Sequence, residues 1–82
     1  MHRKKQIRTQ ILKALKLSAP YMLTEDVLLT TINFDVRPPV VLSDFEEQLG
    51  ELETLRQIIR TQDEYRANKV KITTEGRAAL TE

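Results

Sequence analysis

Acidic side chains are concentrated in the segment SDFEEQLGELETL, where five of them fall between Asp44 and Glu53. Glu47 and Glu51 are four residues apart, so on a helix they would share one face and could weakly share a divalent cation. Catalytic carboxylates need a concave, partly desolvated site, whereas this segment is predicted to be an exposed helix face. With one histidine, His2, and no cysteine, the chain offers no imidazole cluster or thiolate metal site. We therefore expect a non-enzymatic protein with no cofactor, metal or small-molecule substrate.

Positive charge is concentrated in other parts of the chain. Residues 1–24 carry a net charge of +6, residues 25–55 carry −7, and residues 56–82 carry +2. The overall net charge of +1 therefore hides a strong segregation of charge along the sequence. Such segregation is expected to direct different partners, or copies of the same chain, to different faces of the molecule.

A chain of 82 residues is long enough for one hydrophobic core, so we expect a single domain over residues 1–82. The segment RKKQIRTQILKALKL has apolar residues at helical spacing and lysines on the opposite side, which predicts a first helix that Pro20 ends. Thr24 can cap a second helix, and Pro38 and Pro39 break the helical pattern in the connection that follows. No apolar run approaches the length of a membrane span, so we expect a soluble, cytoplasmic protein that binds no membrane.

The third helix is predicted from Ser43 onward, because Ser43 and Glu46 have the spacing of a capping box. Its core side should hold Phe45, Leu49, Leu52 and Leu55. Its outward side should hold Asp44, Glu47, Gly50, Glu51 and Thr54. Glycine inside a helix costs about 1 kcal/mol relative to alanine. Gly50 therefore either marks a place where a partner packs closely or ends a shorter helix.

The segment QIIRTQDEYRANKVKIT predicts a β-hairpin. Its first half is rich in β-branched residues, a polar tip follows, and its second half alternates Val70 and Ile72 with Lys69 and Lys71. Beyond the hairpin, Thr73 or Thr74 can cap a last short helix through EGRAAL.

This order of elements resembles the winged helix-turn-helix family over nearly the whole chain. The most specific likeness lies in GELETLRQIIRTQ and KVKITTEGRAAL. The resemblance implies an α+β fold, a small winged helix with a three-helix core, a two-stranded β-hairpin wing and a short C-terminal helix. It also implies that residues 43–57 form the helix that usually enters the DNA major groove, with residues 62–68 as the wing tip. The ten-residue connection before the third helix is longer than the family's usual turn.

The chemistry of the third helix conflicts with a role in the major groove. Its acidic residues would be repelled by DNA phosphates, and only Gln48 and Gln57 are of a type that reads bases. The nucleic-acid candidates are therefore placed on a basic N-terminal arm and on the wing. They are Arg3, Lys4, Lys5, Arg60, Tyr65, Arg66, Asn68, Lys69 and Lys71.

The third helix is instead a candidate protein-interaction face, formed by Glu47, Gly50, Glu51 and Thr54. Two functions stay open at this point. One is regulator-like DNA association through the arm and the wing. The other is protein recognition or homodimer formation, in which the basic first helix of another copy could complement the acidic face. The simplest alternative to both is that these charged faces are only solvated.

Overall fold

The computed structural model describes residues 3–62 and 68–80. Within them the chain forms the predicted succession of helices and strands, so the α+β winged-helix fold is confirmed. The elements are α1 (Arg3–Ser18), β1 (Leu23–Thr24), α2 (Glu25–Ile32), α3 (Leu42–Thr54), β2 (Ile58–Gln62), β3 (Asn68–Ile72) and α4 (Thr74–Leu80).

Helix α1 forms the centre of the core. Ile7, Ile11 and Leu15 recur every four residues, which places them on one face of the helix, and all three are buried. This face packs against α2, α3, α4 and β3. The basic residues on the other side of α1 are thereby left toward solvent.

The sheet has three antiparallel strands in the order β1-β3-β2. The predicted hairpin forms, with Ile58 opposite Ile72 and Arg60 opposite Val70. The extended piece before α2 is an additional strand of the same sheet, because Leu23 pairs with Val70. The predicted two-stranded wing is therefore present and belongs to a three-stranded sheet.

Side chains on successive strand residues alternate between the two faces of this sheet. Ile58, Val70 and Ile72 are buried on the core face. Arg60 occupies the same face as Ile58, whereas Lys71 and its partner Ile59 occupy the opposite, exposed face.

Threonine hydroxyls cap two of the helices, as predicted. The Oγ1 atom of Thr24 accepts a hydrogen bond from the amide of Val27 at 3.3 Å. The Oγ1 atom of Thr73 accepts one from the amide of Gly76 at 3.1 Å and donates to the carbonyl oxygen of Arg56 at 2.7 Å. The second cap therefore also ties the start of α4 to the turn after α3.

The predicted capping box at the start of α3 is wrong. The helix begins one residue earlier, at Leu42, and its N-cap is Val41. Ser43 already lies inside the helix, and the Glu46 carboxylate accepts a hydrogen bond from Arg60 at 3.1 Å. Attraction to a cation on a neighbouring strand therefore determines where this carboxylate points.

The end of α3 is a left-handed turn and comes before the predicted end at residue 57. Arg56 has a φ of 60°, and its amide bonds to the carbonyl oxygen of Glu53 at 3.0 Å. The amide of Gln57 bonds to the carbonyl oxygen of Leu52 at 2.9 Å, which completes a Schellman motif. Because the helix has ended, Leu55 is 55% exposed. The prediction that Leu55 lies on the core side is therefore wrong.

The long connection between α2 and α3 is held by one side chain. The Asn33 amide group accepts a hydrogen bond from the Val40 amide at 2.8 Å and donates one to the Val40 carbonyl oxygen at 3.2 Å. Val36 and Val40 are buried in the core. The connection is therefore packed and closed on itself, which fixes where α3 starts relative to α2.

Candidate functional site

The outward side of α3 has a central strip formed by Gly50 and Thr54, with Glu47 and Glu51 beside it. The helix runs from Leu42 to Thr54 through Gly50, so the expectation that Gly50 might end a shorter helix is wrong. Thr54 donates from its Oγ1 atom to the carbonyl oxygen of Gly50 at 2.9 Å. A methyl group added at Gly50 would meet no other described atom within 4 Å. Gly50 therefore faces open space.

Replacing Gly50 with alanine is expected to raise the free energy of unfolding by about 0.5–1 kcal/mol. The reason is that alanine loses less backbone entropy in a helix, and the site has room for the methyl group. Urea unfolding followed by circular dichroism measures the change. A loss of stability would contradict the open environment of Gly50.

One margin of this strip carries carboxylates of α3 paired with bases of α1. The Lys4 Nζ atom lies 3.0 Å from Oε1 of Glu47, and Arg8 Nη1 lies 3.5 Å from Oε2 of Glu51. The hydrogen bond to Glu47 and the charge of Glu47 raise the pKa of Lys4. Arg8 also donates to Oε1 of Gln48 at 2.8 Å, which satisfies an amide group that is almost fully buried. The basic complement of the acidic helix is therefore supplied by the same chain.

The other margin carries three carboxylates gathered around Arg60. Arg60 donates from Nη2 and Nε to Oε2 of Glu25, at 2.9 and 3.2 Å. Its Nη2 atom also donates to Glu46 at 3.1 Å, and its Nη1 atom lies 3.6 Å from Oε1 of Glu53. We call these four side chains the Arg60 cluster. It joins β2 to the N-terminal end of α2 and to the outer side of α3.

The acids outnumber the base in the Arg60 cluster, and the pKa values of Glu46 and Arg60 reflect this. The pKa of Glu46 is raised above its ordinary value, first by a side-chain hydrogen bond with Glu25, then by burial and by the charge of Glu25. Burial alone would lower the pKa of Arg60. The hydrogen bond to Glu25 and the charges of the three carboxylates outweigh burial and raise it. Arg60 therefore stays charged, and Glu46 holds its proton more tightly than a solvated glutamate does.

Replacing Glu46 with glutamine is expected to stabilise the fold at neutral pH by no more than about 1 kcal/mol. Because the folded-state pKa of Glu46 is raised, its contribution to stability is present below its ordinary value of 4.5 and is lost as the pH rises through the raised pKa. Glutamine is uncharged throughout, so its advantage should be greatest near pH 7 and shrink toward pH 4. Urea unfolding at a series of pH values measures this trend.

Glu47→Gln is a matched control for this pH series. It makes the same chemical change on the same helix, but Glu47 has its own cationic partner in Lys4, whereas Glu46 shares Arg60 with Glu25 and Glu53. We expect this control to lose a little stability at neutral pH. A Glu46→Gln variant that behaves like the control would contradict the crowding of carboxylates around Arg60.

Some of the predicted nucleic-acid residues lie in other surroundings than expected. Arg3, Lys4 and Lys5 belong to the first turns of α1 and do not form an extended arm. The reason is that helix α1 already begins at Arg3. The guanidinium of Arg3 also donates a hydrogen bond to the carbonyl oxygen of Pro38, which holds this end of the helix against the connection between α2 and α3. Lys4 is paired with Glu47, and Lys5 is exposed.

The predicted wing residues are divided between the two faces of the sheet. Arg60 is held on the core face by carboxylates, so it is not presented to an external phosphate. Asn68 and Lys71 are exposed, and Lys69 is half-buried. Tyr65, Arg66 and His2 lie outside the described residues, so the predictions for Tyr65 and Arg66 stay predictions.

The Arg60 cluster was not foreseen from the sequence, although one signal was available. In a strand that alternates between two faces, residues 58, 60 and 62 share a side. Ile58 is apolar and predicts a core-facing side, so the same alternation places Arg60 beside the core, where a cation needs an acidic partner. The identity of that partner was not readable, because Glu25 is 35 residues away along the chain.

Several bases on the surface form no ion pair within residues 3–62 and 68–80. They are Lys5, Lys13 and Lys16 on α1, Arg56 after α3, Lys71 on β3 and Arg77 on α4. In contrast, Lys4, Arg8 and Arg60 around α3 are all bound to carboxylates. The cationic surface that stays available therefore lies away from α3.

The three-helix core, the sheet with its β2–β3 wing and the helix α3 between them define a winged helix-turn-helix fold. The structure is similar to the crystal structure of a transcriptional regulator of the MarR family from Silicibacter pomeroyi, with a TM-score of 0.75 and 24% sequence identity. The similarity covers 93% of this chain and 47% of that chain, so this chain spans about half the length of that regulator. No family model matches the sequence, and no curated protein matches it significantly.

In the part of the chain that the structure describes, no helix has the length and apolar character that a membrane crossing requires. Within residues 3–62 and 68–80, no group of three or more histidine or acidic side chains is placed to hold a metal ion.

Proposed function

We propose that this chain is a DNA-associating winged-helix module of the kind found in transcriptional regulators. The observation that carries the proposal is the fold, which 93% of the chain shares with a protein described as a transcriptional regulator. Winged-helix domains commonly place a helix or a wing against duplex DNA. Because DNA phosphates are negative, the charges on the helix and on the wing determine which of the two can make the contact.

The proposed contact is made by the wing strand, with α3 turned away from the major groove. Around α3, the bases Lys4, Arg8 and Arg60 are bound to carboxylates, and the acids still outnumber them. On β3, Lys71 is exposed on the outer face of the sheet and forms no ion pair with any described residue, and Asn68 is exposed at the start of the strand on the other face. A lysine and an amide side chain can both bond to phosphate oxygens.

A contact of this size should be weak and sensitive to salt. About three lysine or arginine contacts to phosphates would give a slope of about −3 when the logarithm of the binding constant is plotted against that of the salt concentration. Base-specific contacts are not needed for such binding. We therefore expect micromolar affinity for duplex DNA at low salt, with little preference among sequences.

Replacing Lys71 with alanine is expected to weaken binding to a mixed-sequence duplex severalfold at low salt and to make the salt slope shallower by about one unit. Lys69→Ala and Arg66→Ala should act in the same direction, because the sequence places them on the same wing. Fluorescence anisotropy with a labelled duplex at several salt concentrations measures both quantities.

Lys16→Ala is the control for the DNA titration. It removes an equally unpaired lysine from α1, outside the proposed contact, and should leave the affinity unchanged. Absence of binding even at low salt would end the DNA proposal. An equal loss in Lys16→Ala and Lys71→Ala would show that binding follows overall charge and not the wing.

A second candidate function is protein recognition by the outward strip of α3. The observation that favours it is the open space above Gly50, in a helix that would be more stable with alanine there. Glu47 and Glu51 border this strip with Lys4 and Arg8 already bound, so a partner would meet ion pairs and not free carboxylates. The idea that α1 of a second copy neutralises these acids is therefore less favourable than the sequence indicated.

Sedimentation velocity tests this second function. Gly50→Gln fills the open space and raises helix propensity, so a loss of association would not come from unfolding of α3. Glu47→Lys with Glu51→Lys reverses the bordering charges. If the wild-type protein self-associates and these variants do not, the strip is an interface. If none of them changes the sedimentation coefficient, the strip is only solvated.

A further inference from the structure

A groove lies between α1, α4 and the turn after α3, and its floor is apolar. Its volume is about 500 Å³, and it continues into a second hollow of similar size that shares Lys13 and Leu80 with it. The apolar residues that line the two hollows are Leu12, Leu17, Leu55, Ala79 and Leu80. Leu17 is 88% exposed and Leu55 is 55% exposed, so much of this aliphatic surface is in contact with water.

The charged residues that line the same two hollows are all basic. They are Lys5, Arg8, Lys13 and Lys16. Arg8 is bound to Glu51 and Gln48, but the three lysines have no ion pair within the residues that the structure describes. One face of the molecule therefore combines leucine side chains that are exposed to water with lysine side chains that have no acidic partner among the described residues.

We propose that this groove binds an acidic amphipathic helix of a partner protein, with its leucine-like side chains on the floor and its carboxylates against Lys5, Lys13 and Lys16. The residues that line the groove extend along α1 from Lys5 to Leu17, which is a length of about 18 Å. A helix of three to four turns has about this length and can present apolar residues along one stripe. This surface is separate from the wing contact proposed above and does not depend on it.

The chemistry of the groove favours such a helix over other anionic ligands. A nucleic-acid backbone would use the lysines but would leave the aliphatic floor of Leu17 and Leu55 without a partner. A flat membrane surface could reach Leu17, which projects, but not Leu12, which lines the groove and is only 4% exposed. A helix with acidic and apolar faces satisfies the lysines and the leucines together.

Fluorescence anisotropy with a labelled synthetic peptide tests the proposal. The probe is a peptide of about 14 residues with leucines at helical spacing and glutamates elsewhere, and its control has the same composition in scrambled order. We expect micromolar binding of the patterned peptide only. Lys13→Glu with Lys16→Glu should weaken it about tenfold or more, and Leu17→Ser with Leu55→Ser should weaken it similarly.

The variants for this test change exposed side chains, so their circular dichroism should match that of the wild type. Lys71→Ala is the matched control and should bind the peptide normally. Absence of peptide binding, equal binding of the scrambled peptide, or no effect of the groove variants would overturn the proposal. The proposal would also be overturned if the wild-type protein is a dimer and the double variant Lys13→Glu with Lys16→Glu is a monomer. The groove would then hold a second copy of the chain. A last contrary outcome has two parts: the wild type does not bind the peptide, and the groove variants lose binding to duplex DNA or to anionic vesicles. The groove would then belong to that other ligand.

Discussion

Replacing Gly76 with alanine is expected to destabilise the fold by at least about 2 kcal/mol. A Cβ atom at this position would lie 2.2 Å from the carbonyl oxygen of Gln57 and 2.8 Å from Cγ1 of Ile72. The first contact is with backbone, so no side-chain rotation can relieve it. Helix α4 would have to move, which would break the 3.1 Å hydrogen bond from the Thr73 amide to Gln57.

The sign of this change is informative, because helix propensity alone predicts the opposite result. Alanine is favoured over glycine by about 1 kcal/mol in a helix, and Gly50→Ala should show that gain. The two variants make the same chemical change in two helices of one protein. Urea unfolding of both should shift the midpoints in opposite directions. If Gly76→Ala were also stabilising, α4 would not pack against the turn after α3 as closely as described.

Replacing Arg60 with methionine is expected to cost about 2–4 kcal/mol at neutral pH. Methionine keeps much of the apolar stem but leaves three carboxylates together without a cation, and the Glu25 side chain is only 10% exposed. Removing one partner of a buried ion pair costs more than the pair itself contributes, because the remaining charge stays desolvated. Thermal unfolding should show this as a drop of several degrees in Tm.

Two further measurements separate charge from packing in this cluster. Arg60→Lys keeps the positive charge but cannot bond to Glu25 and Glu46 in the same forked geometry, so it should recover only part of the loss. Glu25→Gln in the Arg60→Met background should recover stability, because it removes a charge that has lost its partner. The cost of Arg60→Met should also fall toward acid pH, where Glu46, whose pKa is raised, takes up a proton. A cost that is equal at pH 7 and pH 4 would show that Arg60 acts through packing alone.

The elements of this fold were predictable from local patterns. The spacing of Ile7, Ile11 and Leu15 defined α1, and the alternation of Val70 and Ile72 with lysines defined β3. The sequence also predicts caps at Thr24 and at Thr73 or Thr74, because capping depends on residues only three positions away, and the structure has Thr24 and Thr73 as the caps. Signals that act over a few residues are available in the sequence itself.

The features that were mispredicted depend on contacts between distant parts of the chain. Glu46 was assigned to a capping box, which is a local interaction, but Arg60 competes for its carboxylate from β2. Gln48 was considered as a residue that reads bases, yet it is buried because Arg8, 40 residues earlier, satisfies its amide oxygen. No pattern within α3 could reveal either partner.

The acidic charge of α3 was predictable from the sequence, but the partners of its carboxylates were not. The acidic sequence of the helix was evident, but the pairing of Glu47 with Lys4 and of Glu51 with Arg8 depends on how α1 crosses α3. That crossing occupies Arg8 and also Lys4, which belongs to the predicted DNA contact, and it leaves Lys5, Lys13 and Lys16 without an ion pair among the described residues. The sequence indicated how much charge was present, whereas the packing of the helices determined which charges stay available.

The hydrogen bonds between Asn33 and Val40 also determine where the chain can change in length. They close a small ring of residues between α2 and α3, so the position of α3 depends on the ring's two ends and on buried Val36 more than on the exposed residues between them. Phe34 and Asp35 are exposed, but their amides bond to the carbonyl oxygens of Thr31 and Ile32 at 3.3 and 3.2 Å, so this end of the ring continues the last turn of α2. Pro38 and Pro39 are also exposed, and neither has an amide hydrogen to lose. The peptide bond between these two prolines is therefore a better place than the Phe34–Asp35 bond to insert an affinity tag or a fluorescent reporter.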